Sequence, residues 1–286
     1  MKNKFISAIS SYINNSDDGK FDFIKGQGYE QPLFGFASVN DNLFIEYKKI
    51  ISEKHLTPMQ AFENKFGYKI SDGTVISVLL PFNESVIASN RLQKTLPSVE
   101  WTLARTYIDE IFQKKIVQFA IQTLNDMGYK AVNPVQEKDF QIFRDPHLQV
   151  ASTWSQRHIA YAAGLGTFSI NDAMITEKGI AVRFISIVTD LIIEPSERKY
   201  KTHTSNCIFC STGKCGICMK RCPAAAITPS GHDKLKCYEY CYGARAKELA
   251  RERGADEKYG SGCGLCLTGV PCERQNPSNC KISNTY

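Results

Sequence analysis

All eleven cysteines of this 286-residue chain lie between Cys207 and Cys280, and this uneven distribution constrains the fold more than any other feature. The densest part is CIFCSTGKCGICMKRCP, residues 207–223, which holds five cysteines and ends in Cys-Pro. An odd cysteine count and an N-terminus unlike an export signal argue against a disulfide framework. The CxxC pairs at 215/218 and 263/266 would suit structural zinc.

Iron–sulfur clusters explain the spacing better than zinc does. Bacterial ferredoxin modules use C-x2-C-x2-C-x3-C-P, in which the fourth cysteine binds the other cluster. The chain repeats the last three positions as Cys215, Cys218 and Cys222 followed by proline, and the first cysteine is displaced to Cys207 or Cys210. The spacing therefore predicts a ferredoxin-type module with two [4Fe–4S] clusters.

Two such clusters need eight thiolates, and the exchange of the fourth cysteine divides them into two sets. One predicted set is Cys207 or Cys210 with Cys215, Cys218 and Cys272. The other is Cys222, Cys237, Cys263 and Cys266. The remaining cysteines, Cys241, Cys280 and the unused member of the 207/210 pair, are predicted to be small buried hydrophobic residues.

The net charge of +6 is concentrated in the same region. Residues 194–286 carry 15 Lys and Arg against 9 Asp and Glu, which leaves 20 of each sign for residues 1–193. A basic surface of this kind can bind nucleic acid, and a zinc-based RNA-binding module is one alternative. The favoured explanation is that cations offset the negative charge of thiolate-ligated clusters.

The first two thirds of the chain alternate between helical and strand patterns. Apolar β-branched runs predict strands at 73–82 and 181–193, with a shorter strand at 130–134. Residues 99–127 predict one long helix, or two joined helices, ending at Gly128. This alternation is typical of a sheet flanked by helices.

Two further helices bear on the candidate sites. Thr153 begins a Thr-x-x-Gln capping pattern, which predicts a helix through Ala163 that stops at Gly164. Residues 237–254 predict a helix that carries Cys237 and Cys241 on one face.

The predicted fold class is an α/β (α+β) N-terminal domain with flanking helices, followed by a C-terminal ferredoxin-like module with two [4Fe–4S] clusters. The polar stretch 194–206 marks the boundary, which gives domains at 1–195 and 196–286. Serines interrupt the apolar N-terminal stretch, so it predicts an amphipathic first helix. No eighteen-residue apolar run is present, so we expect a cytoplasmic protein without a membrane partner.

Five segments together resemble the epoxyqueuosine reductase family, which is related to the reductive dehalogenases. They are WSQRHIAYAAGLG (154–166), IVTDLIIEP (187–195), CGICMKRCPAAAI (215–227), KCYEY (236–240) and CGLC (263–266). The resemblance is clearest from about residue 150 onward. YEQPLFGFASVNDNLF, GLGTFSIND and CGLCLTGVPCE resemble one branch of iron–sulfur proteins within it. That branch favours Cys207 over Cys210 as a ligand, since its members carry an aromatic residue at the second position.

The resemblance implies an N-terminal domain that holds cobalamin against the two clusters, so cobalamin is a candidate cofactor. It implies a reductase that passes electrons through the clusters to a corrinoid or a substrate. The expected partners are an electron donor of the ferredoxin or flavodoxin type and a small-molecule or modified-nucleoside substrate. The alternative is an electron-transfer protein that serves another enzyme and has no chemistry of its own.

Five residues outside the module are candidates for cofactor binding, each with a packing role as the alternative. Trp154 and His158 share a face of the predicted helix. Gly164 and Gly166 are a helix cap and turn that the resemblance brings close to a cofactor. Arg183 lies in a strand, where it is expected to pair with a buried acid or a polar group of a cofactor.

The chain also departs from the family that it resembles. That family carries an acid, thought to donate a proton to the substrate, where this chain has Val150. Asp145 and His147 lie nearby in the sequence, but their spacing does not match. The lysine that follows the family's GLG segment is also replaced. These departures affect the expected proton transfer and leave the predicted electron-transfer residues unchanged.

Overall fold

The computed structural model describes residues 1–279 of the chain. Its helices are α1 Lys2–Asn15, α2 Leu43–Ile50, α3 Pro58–Phe66, α4 Glu84–Arg91, α5 Val99–Thr106, α6 Gln113–Asp126, α7 Gln156–Ala162, α8 Ile208–Thr212, α9 Ile217–Lys220, α10 Lys234–Tyr242 and α11 Ala244–Glu252. Its strands are β1 Lys20–Phe21, β2 Gly26–Gln27, β3 Leu33–Ser38, β4 Thr74–Pro81, β5 Ala131–Val132, β6 Ile142–Asp145, β7 Gln149–Ser152, β8 Gly166–Phe168, β9 Met174–Thr176, β10 Val182–Thr189, β11 Ile227–Thr228 and β12 Gly231–His232. This mixture of helices and strands agrees with the predicted fold class.

The chain forms two compact units, and neither is a continuous segment. The first unit comprises residues 1–83, 106–165 and 183–198. The second comprises residues 84–105 and 166–182 together with the chain from Lys199 onward. The division predicted at residue 195 stays a prediction, and the second unit adds two earlier segments to the cysteine-rich region.

A four-stranded sheet organises the first unit, in the order β3-β4-β10-β5. Strands β3 and β4 are antiparallel, and Phe36 lies opposite Ile76. Every residue of β4 is buried, as its mainly apolar sequence predicts. The predicted strands at 73–82, 130–134 and 181–193 are confirmed as β4, β5 and β10.

Helices pack on this sheet and complete the core of the first unit. Phe44 and Tyr47 of α2, Phe62 of α3 and Ile159 of α7 belong to one buried cluster with Val75 of β4. Burying each such side chain stabilises the fold by roughly 1.5–3 kcal/mol. The amphipathic α1 buries Phe5, Ile9 and Ile13, as predicted.

The predicted helical region 99–127 consists of α5 and α6, joined by the π-helical turn Tyr107–Phe112. The long region is therefore confirmed, but with a wider turn at its centre. π-Helical turns of this kind occur frequently at functional sites. Here the turn carries Asp109, which is buried in the first unit.

Two predicted helix boundaries are wrong. Helix α7 begins after Ser155, because Thr153 makes other contacts: its hydroxyl accepts from the Gln141 amide at 3.1 Å and donates to the Asp139 carbonyl at 3.3 Å. The helix predicted over 237–254 is two helices, α10 and α11, separated by Gly243 in an extended conformation (φ −70°, ψ −175°). Glycine is less favourable than other residues inside a helix, so interrupting the helix at Gly243 costs little stability.

None of the helices among residues 1–279 combines the length and the apolar character needed to cross a membrane.

Candidate metal centre

Four predicted ligands, the first cysteine group, line one cavity in the second unit. They are Cys207, Cys215, Cys218 and Cys272. Apolar side chains surround them, including Ile175, Ile180 and Val270. Burial, followed by the charges of Cys207 and Cys215, raises the pKa of Cys218 to about 11. Four thiols around one apolar cavity are the donor set that a [4Fe–4S] cluster uses.

Short helices position the first cysteine group. Cys207 caps the N-terminus of α8, which ends at Gly213 in a left-handed conformation. Gly216 precedes α9, and α9 carries Cys218. These tight turns bring Cys215 and Cys218 back to the cavity that Cys207 lines.

Cys207 and Cys210 have different surroundings. Cys207 is 6% exposed and lines the cavity, whereas Cys210 is exposed at the surface. The Cys210 thiol lies within hydrogen-bonding reach of Cys207. The choice of Cys207 as the ligand stays a prediction, and the prediction that an unused Cys210 is buried is wrong, because Cys210 is exposed.

Four other predicted ligands, the second cysteine group, meet elsewhere in the second unit. They are Cys222, Cys237, Cys263 and Cys266. Burial, followed by the charges of Cys263, Cys237, Cys218 and Cys222, raises the pKa of Cys266 well above its ordinary value. The Ala226 amide donates to Cys222 Sγ at 3.3 Å. Thiols with raised pKa values release protons when a metal binds them.

Cys241 lies beside the second cysteine group. It is buried, and its thiol lies within hydrogen-bonding reach of Cys237 and Cys263, contacts that, with burial, raise its pKa. Its carbonyl accepts from the Gly262 amide at 3.2 Å. Cys241 was predicted to be a buried residue without a ligand role, and it is buried. Cys280, given the same role, lies outside the described residues.

Side chains from three separate segments hold the loop that carries Cys263 and Cys266. Asn90 Nδ2 donates to the Cys263 carbonyl at 3.2 Å, and Asn171 Nδ2 donates to the Cys266 carbonyl at 3.2 Å. Arg221 Nε donates to the Leu265 carbonyl at 2.8 Å. These contacts satisfy carbonyls that would otherwise be buried without partners.

Sequence reasoning missed the roles of these three residues. Asn171 lies in the GLGTFSIND segment (164–172) and Arg221 lies in the cysteine-rich segment (207–223), so both lie in motifs that the sequence had already indicated. Asn90 had none, because it comes from α4, far from the cysteines in sequence.

A close backbone approach also fixes this loop. Gly264 has φ +66°, and a Cβ at this position would lie 1.9 Å from Cζ2 of the buried Trp101. Only glycine meets both requirements, the left-handed backbone and the missing side chain.

His232 is a polar neighbour of the second cysteine group. Its Nδ1 lies 3.2 Å from Asp172 Oδ2. Burial alone lowers the pKa of His232, but hydrogen bonds to Asp172 and Cys237 outweigh burial and raise the pKa to about 9.

Among residues 1–279, no three His, Cys, Asp or Glu side chains are gathered in the arrangement that holds a single metal ion. A [4Fe–4S] cluster makes a different demand, because each of its four cysteines binds a separate iron.

The other five predicted site residues are distributed over both units. Gly166 lies in the second unit, in the β8–β9 hairpin, and the other four lie in the first. Trp154 is fully buried, and its Nε1 donates to Ser186 Oγ at 2.9 Å. His158 Nδ1 lies 2.8 Å from Ser155 Oγ.

Gly164 and Arg183 also have partners within the first unit. Gly164 has φ +74°, and a Cβ there would lie 2.7 Å from the Glu197 carbonyl oxygen. Arg183 Nε donates to Asp109 Oδ2 at 2.8 Å, and its guanidinium lies 4.6 Å from the centre of the Phe82 ring. The expected pairing of Arg183 with a buried acid is therefore present. Contact of any of these five residues with a cofactor stays a prediction.

No protein-family model matches the sequence, and a sequence search of curated proteins finds no match. Solved structures do match, over nearly the whole chain. A crystal structure of epoxyqueuosine reductase with a tRNA-Tyr epoxyqueuosine-modified stem loop covers 95% of this chain at a TM-score of 0.51 and 16% identity. The chain has the fold of epoxyqueuosine reductase. The resemblance found in the motifs is thereby confirmed at the level of the fold.

Two further structures are similar. Epoxyqueuosine reductase from Bacillus subtilis covers 96% of the chain at a TM-score of 0.49 and 17% identity. A reductive dehalogenase, described as suggesting a mechanism for B12-dependent dehalogenation, covers 73% at a TM-score of 0.48 and 19% identity. The chain spans 65–66% of the epoxyqueuosine reductase structures and 27% of the dehalogenase.

Proposed function

We propose that the chain is an iron–sulfur oxidoreductase that passes electrons through two [4Fe–4S] clusters to a corrinoid or a substrate bound by the N-terminal part of the chain. The observation that carries the proposal is that Cys207, Cys215, Cys218 and Cys272 line one cavity, which Cys222 does not line. This supports the ligand exchange of the C-x2-C-x2-C-x3-C-P pattern, in which the fourth cysteine, here Cys222, binds the other cluster.

The first cysteine group would hold one cluster and the second cysteine group the other. Bound clusters of this type supply one-electron transfer at a potential set by hydrogen bonds, charge and solvent exposure. The chain's own residues provide those conditions. Ile175, Ile180 and Val270 keep water away from the first group, and Asn90 and Asn171 fix the loop of the second.

Cobalamin is proposed without assigned contacts. The backbone of Glu197 fills the space beside Gly164, and Asp109 holds Arg183, so the contacts of both residues support packing roles. A modified-nucleoside substrate is proposed from the fold alone, because one structure with this fold contains an epoxyqueuosine-modified tRNA stem loop.

The alternative is a non-catalytic electron-transfer protein, and one observation favours it. Val150, at the position of the family's acid, lies in β7 opposite Arg144 and has no proton to donate. Its neighbour Asp145 accepts hydrogen bonds from the His147 and Leu148 amides at 2.9 and 2.8 Å. Asp145 therefore shapes the β6–β7 turn, which is a structural role.

Iron, sulfide, zinc and cobalt analysis of anaerobically purified protein, after cobalamin is offered, tests the proposal. We expect about eight irons and eight sulfides per chain, as two cubane clusters require. Stoichiometric cobalt would favour the corrinoid reductase, and the same iron without cobalt would favour the electron-transfer protein or direct reduction of a substrate. Zinc in place of iron would contradict both.

A further inference from the structure

The β11–β12 hairpin lies against two thiols of the second cysteine group. Ile227 of β11 pairs with His232 of β12, and this pairing fixes the backbone on both sides of the turn. Just before β11, the Ala226 amide donates to Cys222 Sγ at 3.3 Å. At the end of β12, the His232 side chain lies within hydrogen-bonding reach of Cys237. One hairpin therefore contacts two of the predicted ligands through polar groups.

Asp172 sets the orientation of the His232 ring. Its Oδ2 lies 3.2 Å from His232 Nδ1, and Lys234 Nζ lies 3.7 Å from the same oxygen. The His232 side chain is only 12% exposed, so water has little access to it. An imidazole ring has two nitrogens, and Asp172 occupies Nδ1, so Nε2 is the nitrogen that remains for Cys237.

The chain that carries Asp172 is also attached to the second cysteine group. The preceding residue, Asn171, donates from Nδ2 to the Cys266 carbonyl at 3.2 Å, and its Oδ1 accepts from the Ala173 amide at 3.2 Å. Asn171 and Asp172 thus reach two different ligand segments, the loop of Cys266 and, through His232, Cys237. The carboxylate that orients the ring is therefore held in place beside the second cysteine group.

The direction of the hydrogen bond between His232 and Cys237 follows from the chemistry of a cluster ligand. A cysteine that binds iron is a thiolate and has no proton to donate. With a cluster bound, His232 Nε2–H is therefore the donor and Cys237 Sγ the acceptor.

Such a donor changes the energy of the reduced state. Reduction adds one electron to a cluster and breaks no bond, so the ligand sulfurs become more negative and the hydrogen bond to them becomes stronger. The donor consequently stabilises the reduced state more than the oxidised state. Hydrogen bonds to the sulfurs are among the features that set the reduction potential of a cluster.

We propose that His232 donates a hydrogen bond to the Cys237 thiolate and thereby raises the reduction potential of the second cluster, with Asp172 as the residue that positions the ring. The inference rests on the proposed function and extends it to the residues that set the potential of one cluster. Neither His232 nor Asp172 lines the cavity of the first cysteine group. We therefore expect the effect to be confined to the second cluster.

Three variants and one control test the proposal. His232→Leu removes the donor, whereas His232→Gln retains an N–H group at about the position of Nε2. Asp172→Asn removes the carboxylate charge and suits the left-handed backbone of this residue (φ +59°), which asparagine tolerates. His203→Leu is the control, because it removes an exposed imidazole from the same unit.

The experiment is an anaerobic redox titration of holoprotein whose iron and sulfide content has been verified. Dithionite with mediators supplies the electrons, and electron paramagnetic resonance follows each reduced cluster. We expect two one-electron steps in the wild type, one for each cluster.

In His232→Leu, one step should move to lower potential by at least a tenfold change in its equilibrium constant, which is about 59 mV for one electron. The other step should stay within a twofold change. Asp172→Asn should move the same step in the same direction by a smaller factor. His232→Gln should restore most of the wild-type value, and His203→Leu should match the wild type at both steps.

Wild-type potentials in His232→Leu would overturn the proposal, as would equal shifts of both steps, which would indicate a general change in the second unit. A shift in His203→Leu as large as that in His232→Leu would overturn it too. If His232→Leu binds only half of the wild-type iron, Asp172→Asn decides, and unchanged potentials in that variant would contradict the proposal. Failure of the proposed function is recognised separately, because it would appear beforehand as wild-type protein without iron and sulfide.

Discussion

Arg183 and Asp109 form an ion pair inside the first unit, with 2.8 Å between Nε and Oδ2. The Asp109 side chain is 4% exposed and that of Arg183 is 27% exposed. Asp109 also accepts a hydrogen bond from the Tyr29 hydroxyl at 3.1 Å, and Tyr29 accepts one from Gln113 Nε2 at 2.7 Å. The π-helical turn thus contributes a buried carboxylate to a polar network that joins it to β10.

Replacing Arg183 by Met should destabilise the first unit by about 3 kcal/mol, because Asp109 would remain as a buried charge without its cation. The urea midpoint of unfolding measures this loss. Lys20→Met is the control, since it removes an ion pair with Asp17 that is exposed on both sides, and it should change the midpoint little. Equal decreases of the urea midpoint in the two variants would contradict a larger contribution of the buried ion pair to stability.

Cys218→Ser should lose one cluster, because Cys218 lines the cavity of the first cysteine group. We expect iron content to fall by about half, from about eight to about four. Cys210→Ser is the matched control, since Cys210 is exposed, does not line that cavity and should leave iron content unchanged. Iron loss from Cys210→Ser, with full iron in Cys207→Ser, would reverse the assignment of the ligand.

Gly264→Ala should destabilise the second unit and lower the amount of iron bound by the second cysteine group. The new Cβ would enter the Trp101 ring and the backbone would be strained. Gly254→Ala separates the two causes, because Gly254 has φ +77° and a Cβ there would meet no atom within 4 Å. It should cost only the left-handed strain, about 1–2 kcal/mol. Similar urea midpoints and iron contents for the two variants would contradict the role of the Trp101 contact.

His55 should make the first unit sensitive to acid. Burial lowers the pKa of His55 from 6.5 to about 4, and its Nε2 accepts a hydrogen bond from the Ser155 amide at 3.1 Å. As the pH falls below about 6.5, the unfolded chain binds the proton first, so stability is lost between pH 6.5 and 4. The loss amounts to about 3 kcal/mol.

Urea midpoints at pH 7, 5.5 and 4.5 measure this dependence. His55→Phe should flatten it relative to the wild type, and comparing the two proteins at each pH cancels the effect of acid on the rest of the molecule. His147→Gln, at an exposed position, is the control and should retain the wild-type dependence. An unchanged slope in His55→Phe would refute the role of His55.

The sequence by itself determined most of the local elements and predicts the type of chemistry. The β-branched apolar run of β4 predicts a buried strand, and the spacing of four between Phe5, Ile9 and Ile13 predicts the amphipathic helix α1. The cysteine spacing around 215–222 likewise predicts a ferredoxin-type donor set, because ligand spacing within one short segment is a local property.

Some local boundaries already depended on contacts that the sequence does not display. Thr153 has the pattern of a helix cap, yet Asp139 and Gln141 occupy its hydroxyl, so α7 begins later. The break at Gly243 likewise required the structure, because the helical pattern of residues 237–254 continues on both sides of it.

Only the tertiary structure decided which distant segments support the cysteines. Asn90, Trp101 and Asn171 reach the Cys263–Cys266 loop from segments that precede it by about ninety residues or more. Such contacts have no periodicity and no fixed spacing, since they arise from packing between elements and not from the order of residues within one. The sequence therefore predicts the type of chemistry, whereas the surroundings of the cysteines depended on the fold, because contacts between distant segments form only when the elements pack together.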